Sequence, residues 1–535
     1  DVLKGIDKSD IKTTVTESID SLAGRIGNLI DEVNLEYAVV ERIDRADLTV
    51  KLLTFHLGRA LANANDPFHG VPTLPATVDG TRNITRQPNA RPGVFDGLTG
   101  SVRFKHQLEN SWLWTTQYGA QRLRADDRLV YAAGCSATVT NRFCANGDFQ
   151  IFDYNTDNER RNNDVAQTSL SGQALWGGLE HNLMLSVMRQ RLADHMPRTQ
   201  TSPLLGTTNS ITGGLVAPDP NLPTVDRSGF MSNTIDSMTE WTVKDRIKLN
   251  DSTSTWLGLR YTQLNRQTAM TDGSSPAQDH RNIMTPWLAV SHQLEAGPMV
   301  FASAGQGIQS EVTPKTPETY RNAGQALPTL RSRQHEMGIK SVSYLTQWQA
   351  TWFDISRPAT TDAGSACANN SATNTCTRQM DGQSRHTGIE FSSHTRLTQW
   401  DFGGSAMWLD AQRENATVQT SLNGQRPINV PRYILRGMTE YRFASVEGLR
   451  TGLRASREGK RNVTENGDIV LPAWTTVDAT AHLDTKVNNV GATWTLAIQN
   501  LTNKRYWRES PKSYGQYFLY PGAPRTLRAT VVFHL

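Results

Sequence analysis

The last ten residues of the chain are Thr526-Leu527-Arg528-Ala529-Thr530-Val531-Val532-Phe533-His534-Leu535. Apolar side chains occupy every second position, namely Leu527, Ala529, Val531, Phe533 and Leu535. The positions between them are polar except for Val532. Because successive side chains of a β-strand point to opposite sides, this period of two predicts a strand with one apolar and one polar face.

The same alternation recurs in the two segments that precede this strand. Residues 477–484 and 492–499 each place apolar side chains at every second position and mostly polar ones between. Working back to about residue 100, the chain divides into similar segments of roughly ten residues each. We therefore predict an all-β, antiparallel fold with about seventeen strands after residue 100.

The connections between these segments alternate between short and long. Short connections are predicted near residues 109–110, 178–182, 250–253, 295–298, 343–345, 397–398, 445–447 and 488–490. Long polar connections are predicted near residues 131–163, 197–228, 269–282, 313–331, 358–385, 413–431, 459–472 and 503–517. Short turns at one end and long loops at the other are typical of a transmembrane up-and-down β-barrel, whose long loops are extracellular.

Composition agrees with a barrel and excludes a helical membrane protein. The 535 residues are 37% hydrophobic, the mean hydropathy is -0.50, and no run approaches the roughly 18 apolar residues of a spanning helix. A formal net charge of +4 without a basic block argues against a nucleic-acid partner, and none is predicted. Tryptophans near strand ends suit interfacial girdles or the core of a soluble β protein, and they are Trp112, Trp114, Trp287, Trp348, Trp352, Trp408 and Trp474.

Four cysteines fall in two pairs with identical spacing, both inside predicted long loops. Cys135 with Cys144 and Cys367 with Cys376 are expected to form loop disulfides, each contributing on the order of 2 to 3 kcal/mol in an oxidising compartment. A zinc site is the alternative, but zinc motifs usually space cysteines more closely. We find no HExxH, GxSxG or P-loop motif, so neither an enzyme nor a resident metal or cofactor is predicted.

Residues 498–507 and 520–525, followed by the final strand, carry a family resemblance. Together with residues 256–261, 285–288, 300–307 and 385–390, they resemble, in order, the barrel of TonB-dependent receptors of the ferric-siderophore type. In that family a 22-stranded barrel encloses an N-terminal plug, and a TonB-binding box precedes the plug. The resemblance implies a bacterial outer-membrane receptor.

Residues 1–95 depart from the family's pattern because they are too few for a whole plug and five strands. We expect residues 1–34 to be a remnant of the plug or a helical segment, and residues 35–535 to form the barrel. Residues 18–33 have the spacing of one apolar helix face, and no TonB box can be named.

The resemblance implies that the protein takes up a ferric siderophore, with energy supplied through the TonB complex, and that iron enters only as part of the transported chelate. Outer-membrane lipid and lipopolysaccharide are the other expected partners. Aromatic rings and donors of the loops and upper lumen suit such a chelate, and the candidates are Tyr131, Arg357, Trp408, Tyr506, Trp507, Tyr514 and Tyr517. The alternatives are girdle or loop packing for each residue, and for the protein a plugless passive pore, a haem or cobalamin receptor, or a soluble carbohydrate-binding protein.

Overall fold

The computed structural model describes residues 87, 92–133, 148–201, 204–209, 215–216, 225–226, 231–309, 311–313, 320–328, 330–364, 376–488, 490–513, 516–517 and 519–534. All of them belong to the second of the two units into which the chain divides, residues 56–535. The predicted remnant or helix within residues 1–34 lies outside the described residues, so that prediction and the boundary at residue 35 remain untested.

Long strands dominate the described chain. In chain order they begin with β1 (Val94–Gln107), β2 (Leu113–Ala133), β3 (Asp148–Trp176) and β4 (Leu179–His195). After the short strands β5 (Thr199–Thr201), β6 (Leu204–Asn209) and β7 (Val225–Asp226) come β8 (Ser232–Lys248), β9 (Thr253–Met270), β10 (Ala277–Gln293), β11 (Met299–Gln309), β12 (Leu330–Val342), β13 (Thr346–Ala363), β14 (Thr377–Arg396), β15 (Trp400–Glu414), β16 (Tyr433–Arg442) and β17 (Leu449–Glu458).

The C-terminal part contains three further long strands and several two- or three-residue strands. They are β18 (Arg461–Asn462), β19 (Val470–Leu471), β20 (Trp474–Val487), β21 (Val490–Gln499), β22 (Trp507–Glu509), β23 (Lys512–Ser513), β24 (Gln516–Tyr517), β25 (Tyr520–Pro521) and β26 (Thr526–His534). Two short 3₁₀ helices cover Glu109–Ser111 and Thr420–Leu422. In the described residues no helix is both long enough and apolar enough to cross a membrane.

One sheet of 20 strands contains all the long strands. Three of its members, β5, β6 and β7, are short pieces, and the remaining seventeen form one antiparallel meander in which each strand pairs with the next. The predicted number of strands is therefore confirmed. The first and last strands, β1 and β26, show no pairing with each other among the described residues.

The eight predicted short connections are all confirmed, and they lie at one end of the meander. For example, residues 177–178 join β3 to β4, and residues 343–345 join β12 to β13. We call this end of the sheet the turn end and the opposite end, where the long connections lie, the loop end.

Several long connections are shorter than the sequence predicts. Residues 148–163, expected in a loop, belong to β3, and β13 and β14 extend to residue 363 and back to residue 377. The reason is that backbone hydrogen bonds continue a ladder wherever two strands remain adjacent, whatever the side chains. The alternation of apolar and polar side chains ends where the apolar surroundings end, but the strand itself continues.

The apolar faces of neighbouring strands lie side by side in register. Leu453 pairs with Ala479, which pairs with Ile498, which pairs with Leu527. In the final strand Leu527 and Phe533 are 69% and 53% exposed, whereas Thr526, Arg528 and Thr530 at the alternate positions are half-buried. The predicted division of this strand into an apolar and a polar face is confirmed, and the apolar face, with Leu527 and Phe533, is the outer one.

Aromatic rings bound this apolar face at two levels, most clearly on β15 and β16. Near the turn end, the ring of Trp400 lies 5.5 Å from Phe402 and 4.8 Å from Tyr441. Toward the loop end, Trp408 stacks on Tyr433 at 5.8 Å. Eight residues of one strand separate Trp400 from Trp408, which is about 26 Å along the strand. With the usual strand tilt, this distance corresponds to roughly 20 Å along the membrane normal, which is comparable to the apolar band of an outer-membrane barrel, roughly 25 Å tall.

Not every tryptophan that suits a girdle takes part in one. Trp114 and Trp352 share the outer face with Trp408 by register. Trp287 instead lies on the inner face, where its ring covers Gly258 and Gly305. Trp474 also lies on the inner face, with its ring 4.6 Å from that of Tyr506. For these two residues the girdle prediction is wrong, because the register turns them away from the outer surface.

Candidate ligand site on the inner wall

A small apolar cluster lies on the inner face of β13 to β15, toward the loop end. Phe353, Leu409 and Ala411 are 7%, 8% and 2% exposed, and Ile355, Met407 and Val430 pack against them. Phe353 and Leu409 are both neighbours of Gly388 in register, one on each side of β14. The strand order alone therefore joins side chains that are 56 positions apart in sequence.

Gly388 allows side chains of β13 and β15, the two strands that flank β14, to come into contact across it. A Cβ atom built on Gly388 would lie 2.5 Å from the Cζ atom of Phe353. No side chain tolerates that approach, so the phenyl ring occupies the space over the glycine and reaches toward Leu409. The glycine thus creates a continuous apolar floor.

Basic groups border this apolar floor on its loop side. His386 lies between Ile355 and Ala411 in register and three positions beyond Ile389, which is level with Trp408, so it lies outside the membrane-crossing segment of β14. Burial, together with the positive charges of Arg357 and Arg426, lowers the pKa of His386 to about 4. His386 is therefore neutral at neutral pH and lies near two guanidinium groups. One of them, that of Arg426, also pairs with Asp410 at 3.3 Å.

The β15–β16 loop is tied to β14 by a buried carboxylate. Asp381 Oδ1 accepts hydrogen bonds from the backbone N–H groups of Thr417 and Val418 at 2.7 and 2.8 Å, and Oδ2 accepts one from Gln419 at 3.1 Å. Burial alone would raise the pKa of Asp381, but these three donors hold it below its usual value. The guanidinium group of Arg413 donates a further hydrogen bond of 2.8 Å to the backbone carbonyl oxygen of Asp381.

Asn429 connects three loops above the site. Its Oδ1 accepts hydrogen bonds from the Ser510 backbone N–H at 3.0 Å and from Arg461 Nη1 at 3.2 Å. Its backbone N–H donates to the carbonyl oxygen of Asn462 at 2.8 Å. Asn429 has φ 60°, a left-handed conformation that asparagine adopts more readily than most residues. The loops that follow β15, β17 and β21 are therefore joined at one side chain.

A fourth loop, between β11 and β12, docks on the β13–β14 hairpin. The Tyr320 hydroxyl donates to Asp362 at 2.9 Å, and Arg378 lies 3.2 Å from the other oxygen of Asp362. Burial and the nearby charge of Asp362 raise the pKa of Tyr320, which is 2% exposed. Beside it, the carbonyl oxygen of Cys376 accepts the backbone N–H of Arg321 at 2.7 Å. The loops near the site are thus held by buried polar contacts.

Of the candidate ligand contacts, the structure places Arg357 at the inner-wall site. Trp408 is 63% exposed on the outer face, stacked on Tyr433, which favours the girdle interpretation. Trp507 is 2% exposed and pairs with Pro521, which favours loop packing. Tyr506 is half-buried, and its ring lies where a side chain of Gly522 would otherwise stand. A ligand role for Trp408 and Trp507 is therefore not supported, because neither ring is available to the lumen.

The remaining predictions fall in less completely described parts. Tyr131 stacks on Phe152 at 5.6 Å near the loop end of β2 and β3. Tyr514, Cys135, Cys144 and Cys367 lie outside the described residues, and of Tyr517 the structure describes the backbone pairing with Lys512. Cys376 is buried and disulfide-bonded; its pairing with Cys367 remains a prediction.

Sequence reasoning missed Phe353, His386, Leu409 and Arg426. The available signal was position: the inner faces of β13 and β15 change from polar or small side chains near the turn end to apolar ones, which are Phe353 and Ile355 on β13 and Met407, Leu409 and Ala411 on β15. Without the register, this change is indistinguishable from noise in the alternation. In the part of the chain that the structure describes, no three metal-binding side chains converge. The inner wall presents apolar side chains bordered by guanidinium groups.

An antiparallel meander with an outward apolar belt between two aromatic levels defines a β-barrel of the bacterial outer membrane. The model of the family "TonB dependent receptor-like, beta-barrel" matches residues 41–501. The chain belongs to this family, whose members are outer-membrane receptors and not enzymes.

Named relatives agree with this family. Over 216 residues the chain is 32% identical to the ferrichrome receptor FcuA of Yersinia enterocolitica, which covers 39% of this chain and 26% of that protein. The ferric preacinetobactin receptor BauA of Acinetobacter baumannii superimposes with a TM-score of 0.68 at 18% identity, over 86% of this chain and 67% of BauA. The siderophore receptor PiuA of the same organism superimposes with a TM-score of 0.66 at 14% identity, over 83% of this chain and 65% of PiuA. The similarity to BauA and PiuA shows the fold alone. The chain spans about a quarter of the length of FcuA.

Proposed function

We propose that this protein binds a ferric siderophore at the inner wall of its barrel and serves its uptake across the outer membrane. The observation that carries the proposal is the apolar cluster around Phe353 and Leu409, bordered by Arg357, Arg426 and a neutral His386. Phe353 and Leu409 are themselves buried, and the partly exposed Ile355, Met407 and Val430 that pack against them offer the contact surface. Ferric siderophores are bulky chelates, often anionic and often with apolar or aromatic parts. A wall that combines apolar contact with guanidinium groups fits both properties.

The location of the wall supports the proposal. It lies on the loop side of the upper aromatic level, beneath loops that are held by Asn429 and Asp381. With the loop end facing outward, as in outer-membrane barrels, a chelate arriving from outside meets this wall before the rest of the lumen. The TonB complex would supply the energy for release inward, and lipopolysaccharide would surround the outer half of the barrel.

A binding experiment on the purified full chain tests the proposal. The chain in detergent is titrated with ferrichrome, a ferric catecholate and ferric citrate, and tryptophan fluorescence is followed, with the iron-free ligands as controls. We expect saturable binding of one chelate, in the micromolar range or tighter, and none of its iron-free form.

A passive pore is the competing outcome of the same experiment. It predicts no saturable binding and a steady ion conductance in a planar bilayer that no chelate blocks. That combination would exclude the proposed uptake function. Binding of one chelate, with conductance that the chelate reduces, would support it.

A further inference from the structure

Three aromatic rings lie on the inner face of β9, β10 and β11, and they belong to Trp256, Trp287 and Phe301. The indole of Trp287 spans the backbone on both sides of β10. A Cβ atom built on Gly258 would lie 3.2 Å from its Cε3 atom, and one built on Gly305 would lie 2.8 Å from its Cδ1 atom. Because opposite edges of the indole approach the wall, the ring lies flat against it. Trp287 is 38% exposed, so this wall offers aromatic surface to the lumen.

A cation lies beside each of the other two rings. The guanidinium carbon of Arg246 is 5.3 Å from the ring centroid of Trp256, and the Nζ atom of Lys340 is 5.7 Å from that of Phe301. The Nε atom of Arg246 is buried and has no hydrogen-bond partner among the described residues. Aromatic surface and positive charge therefore stand side by side on this wall.

Neighbouring carboxylates do not neutralise these two cations. Glu240 and Glu336 share the inner face with them, but both already have partners, which are an arginine at 3.4 Å and a glutamine at 2.6 Å. Neither Arg246 nor Lys340 forms an ion pair with a carboxylate in the part of the chain that the structure describes. A donor without a partner and an ammonium group are thus free to contact an anion in the lumen.

This wall is continuous with the inner-wall site. One register row runs from Leu409 to Trp256 across β15 to β9, and its members are Leu409, Gly388, Phe353, Glu336, Ser303, Ala289 and Trp256. Leu409 lies nine positions from the turn-end start of β15, whereas Trp256 lies three positions from that of β9. The row therefore descends toward the turn end, as the tilt of barrel strands requires.

We propose that Trp256, Trp287, Phe301, Arg246 and Lys340, which we call the lower aromatic wall, form a second binding site for planar aromatic anions such as aryl carboxylates and phenolates. A chelate with aromatic arms would meet this site after the inner-wall site, and that role rests on the proposed uptake function. A flat ring stacks on an indole face, and the adjacent negative charge accepts hydrogen bonds from the guanidinium or ammonium group. An aliphatic anion or a neutral ring would use only half of these contacts.

Fluorine NMR on the purified full chain in detergent tests the proposal with small probes. Fluorinated tryptophan replaces tryptophan throughout, and the variants W256F, W287F and W408F assign the signals of Trp256, Trp287 and the outward-facing Trp408. Benzoate is the probe. Its two controls are cyclohexanecarboxylate, which has the charge but no aromatic ring, and benzamide, which has the ring but no charge.

The charge variant is R246Q. Its matched control is R457Q, which removes a guanidinium group that lies 6.0 Å from the ring centroid of Tyr433 on the outer face. We expect benzoate to shift the Trp256 and Trp287 signals saturably, in roughly the millimolar range. R246Q should weaken this binding about threefold to tenfold, whereas R457Q should leave it unchanged and the Trp408 signal should not respond.

Equal shifts with cyclohexanecarboxylate or benzamide would overturn the proposal, since a charge or a ring alone would then explain binding. Equal losses in R246Q and R457Q, or a response of Trp408 that matches that of Trp287, would also overturn it, because benzoate would then be entering the detergent. Unaltered heat-modifiable gel mobility confirms that the variants are folded.

The same measurements separate this inference from the proposed function. If the uptake function alone is wrong, no ferric chelate binds the chain, and benzoate still shifts the signals of Trp256 and Trp287. If this inference alone is wrong, a chelate binds with the dependence on Arg357 that the inner-wall site predicts, and benzoate leaves both tryptophan signals unchanged.

Discussion

The backbone N–H of Ser510 donates a hydrogen bond of 3.0 Å to the side-chain oxygen of Asn429, across 81 positions of sequence. Since Asn429 also binds Arg461 and Asn462, one amide side chain fixes three loops relative to one another. These loops stand at the end of the barrel where the candidate site lies. We therefore expect their mutual contacts to influence how the proposed ligand reaches the inner wall.

Substitution of Asn429 by alanine should loosen these three loops without unfolding the strands. The Ser510 amide and the Arg461 guanidinium would lose an acceptor, which costs about 1 to 3 kcal/mol. Hydrogen exchange should become faster in residues 425–432, 459–473 and 505–511. The control N415A changes an asparagine of similar positive φ, 57°, in the same loop. Equal effects of both variants would mean that backbone strain, and not the hydrogen bonds, is responsible.

Adjacent residues on β15 should behave oppositely in ligand binding. Leu409 faces the inner-wall cluster, whereas Trp408 faces the outer surface. Leu409 is buried, and the partly exposed Met407 and Val430 pack against its cluster. We therefore expect L409A to disturb this contact surface and weaken chelate binding about tenfold or more. W408A should leave affinity nearly unchanged while lowering the thermal stability of the barrel. Fluorescence titration and thermal unfolding measure the two effects. A loss of affinity in W408A alone would show that the faces have been assigned the wrong way round.

Removal of the positive charge of Arg357 should weaken binding of an anionic chelate. A charge-assisted hydrogen bond lost from the complex corresponds to an affinity decrease of about ten- to hundredfold. The matched control is R385Q, on the adjacent strand but on the outer face, where Arg385 pairs with Asp354 at 2.9 Å. R385Q should leave affinity unchanged. A neutral chelate should be insensitive to both variants, and the opposite result would argue against a charge effect.

Acidification should destabilise the inner-wall region through His386. Its pKa is about 4 in the folded protein and about 6.5 in an unfolded chain, so between these values the unfolded state binds more protons. Stability is therefore lost as pH falls from about 6.5 toward 4, and the H386Q variant should show a smaller decrease of its unfolding temperature across that window. The exposed His292 at the turn end provides the control H292Q. Identical pH profiles of wild type and H386Q would refute this assignment.

The four cysteines should be oxidised and paired within their loops, as Cys135 with Cys144 and Cys367 with Cys376. We expect no reaction of the folded, unreduced protein with a thiol reagent, and four reactive thiols after reduction and unfolding. C367S should free the thiol of Cys376 and increase proteolysis near residues 364–376. Free thiols in the unreduced wild type, or peptides linking one pair to the other, would contradict the pairing.

How much the sequence predicts differs between the two ends of the barrel. At the turn end, the alternation and the short connections are local signals, and the structure confirms the turns and seventeen strands. At the loop end, residues 148–163 continue as strand although their side chains show no apolar face. There the ladder depends on the neighbouring strand, which a local pattern does not contain.

The sequence by itself determined the strands, their two faces and the turn that joins each pair, because the bilayer imposes a period of two on each strand separately. Tertiary structure decided which exceptions to that period meet. Phe353 and Leu409 belong to two separate, short apolar runs on inner faces that otherwise carry mostly polar side chains, until the register of β13, β14 and β15 brings both beside Gly388. Likewise, Asn429 and Ser510 are ordinary loop residues until the loops fold together. Contacts of this kind depend on register and loop closure over many residues, which no local stretch of sequence encodes.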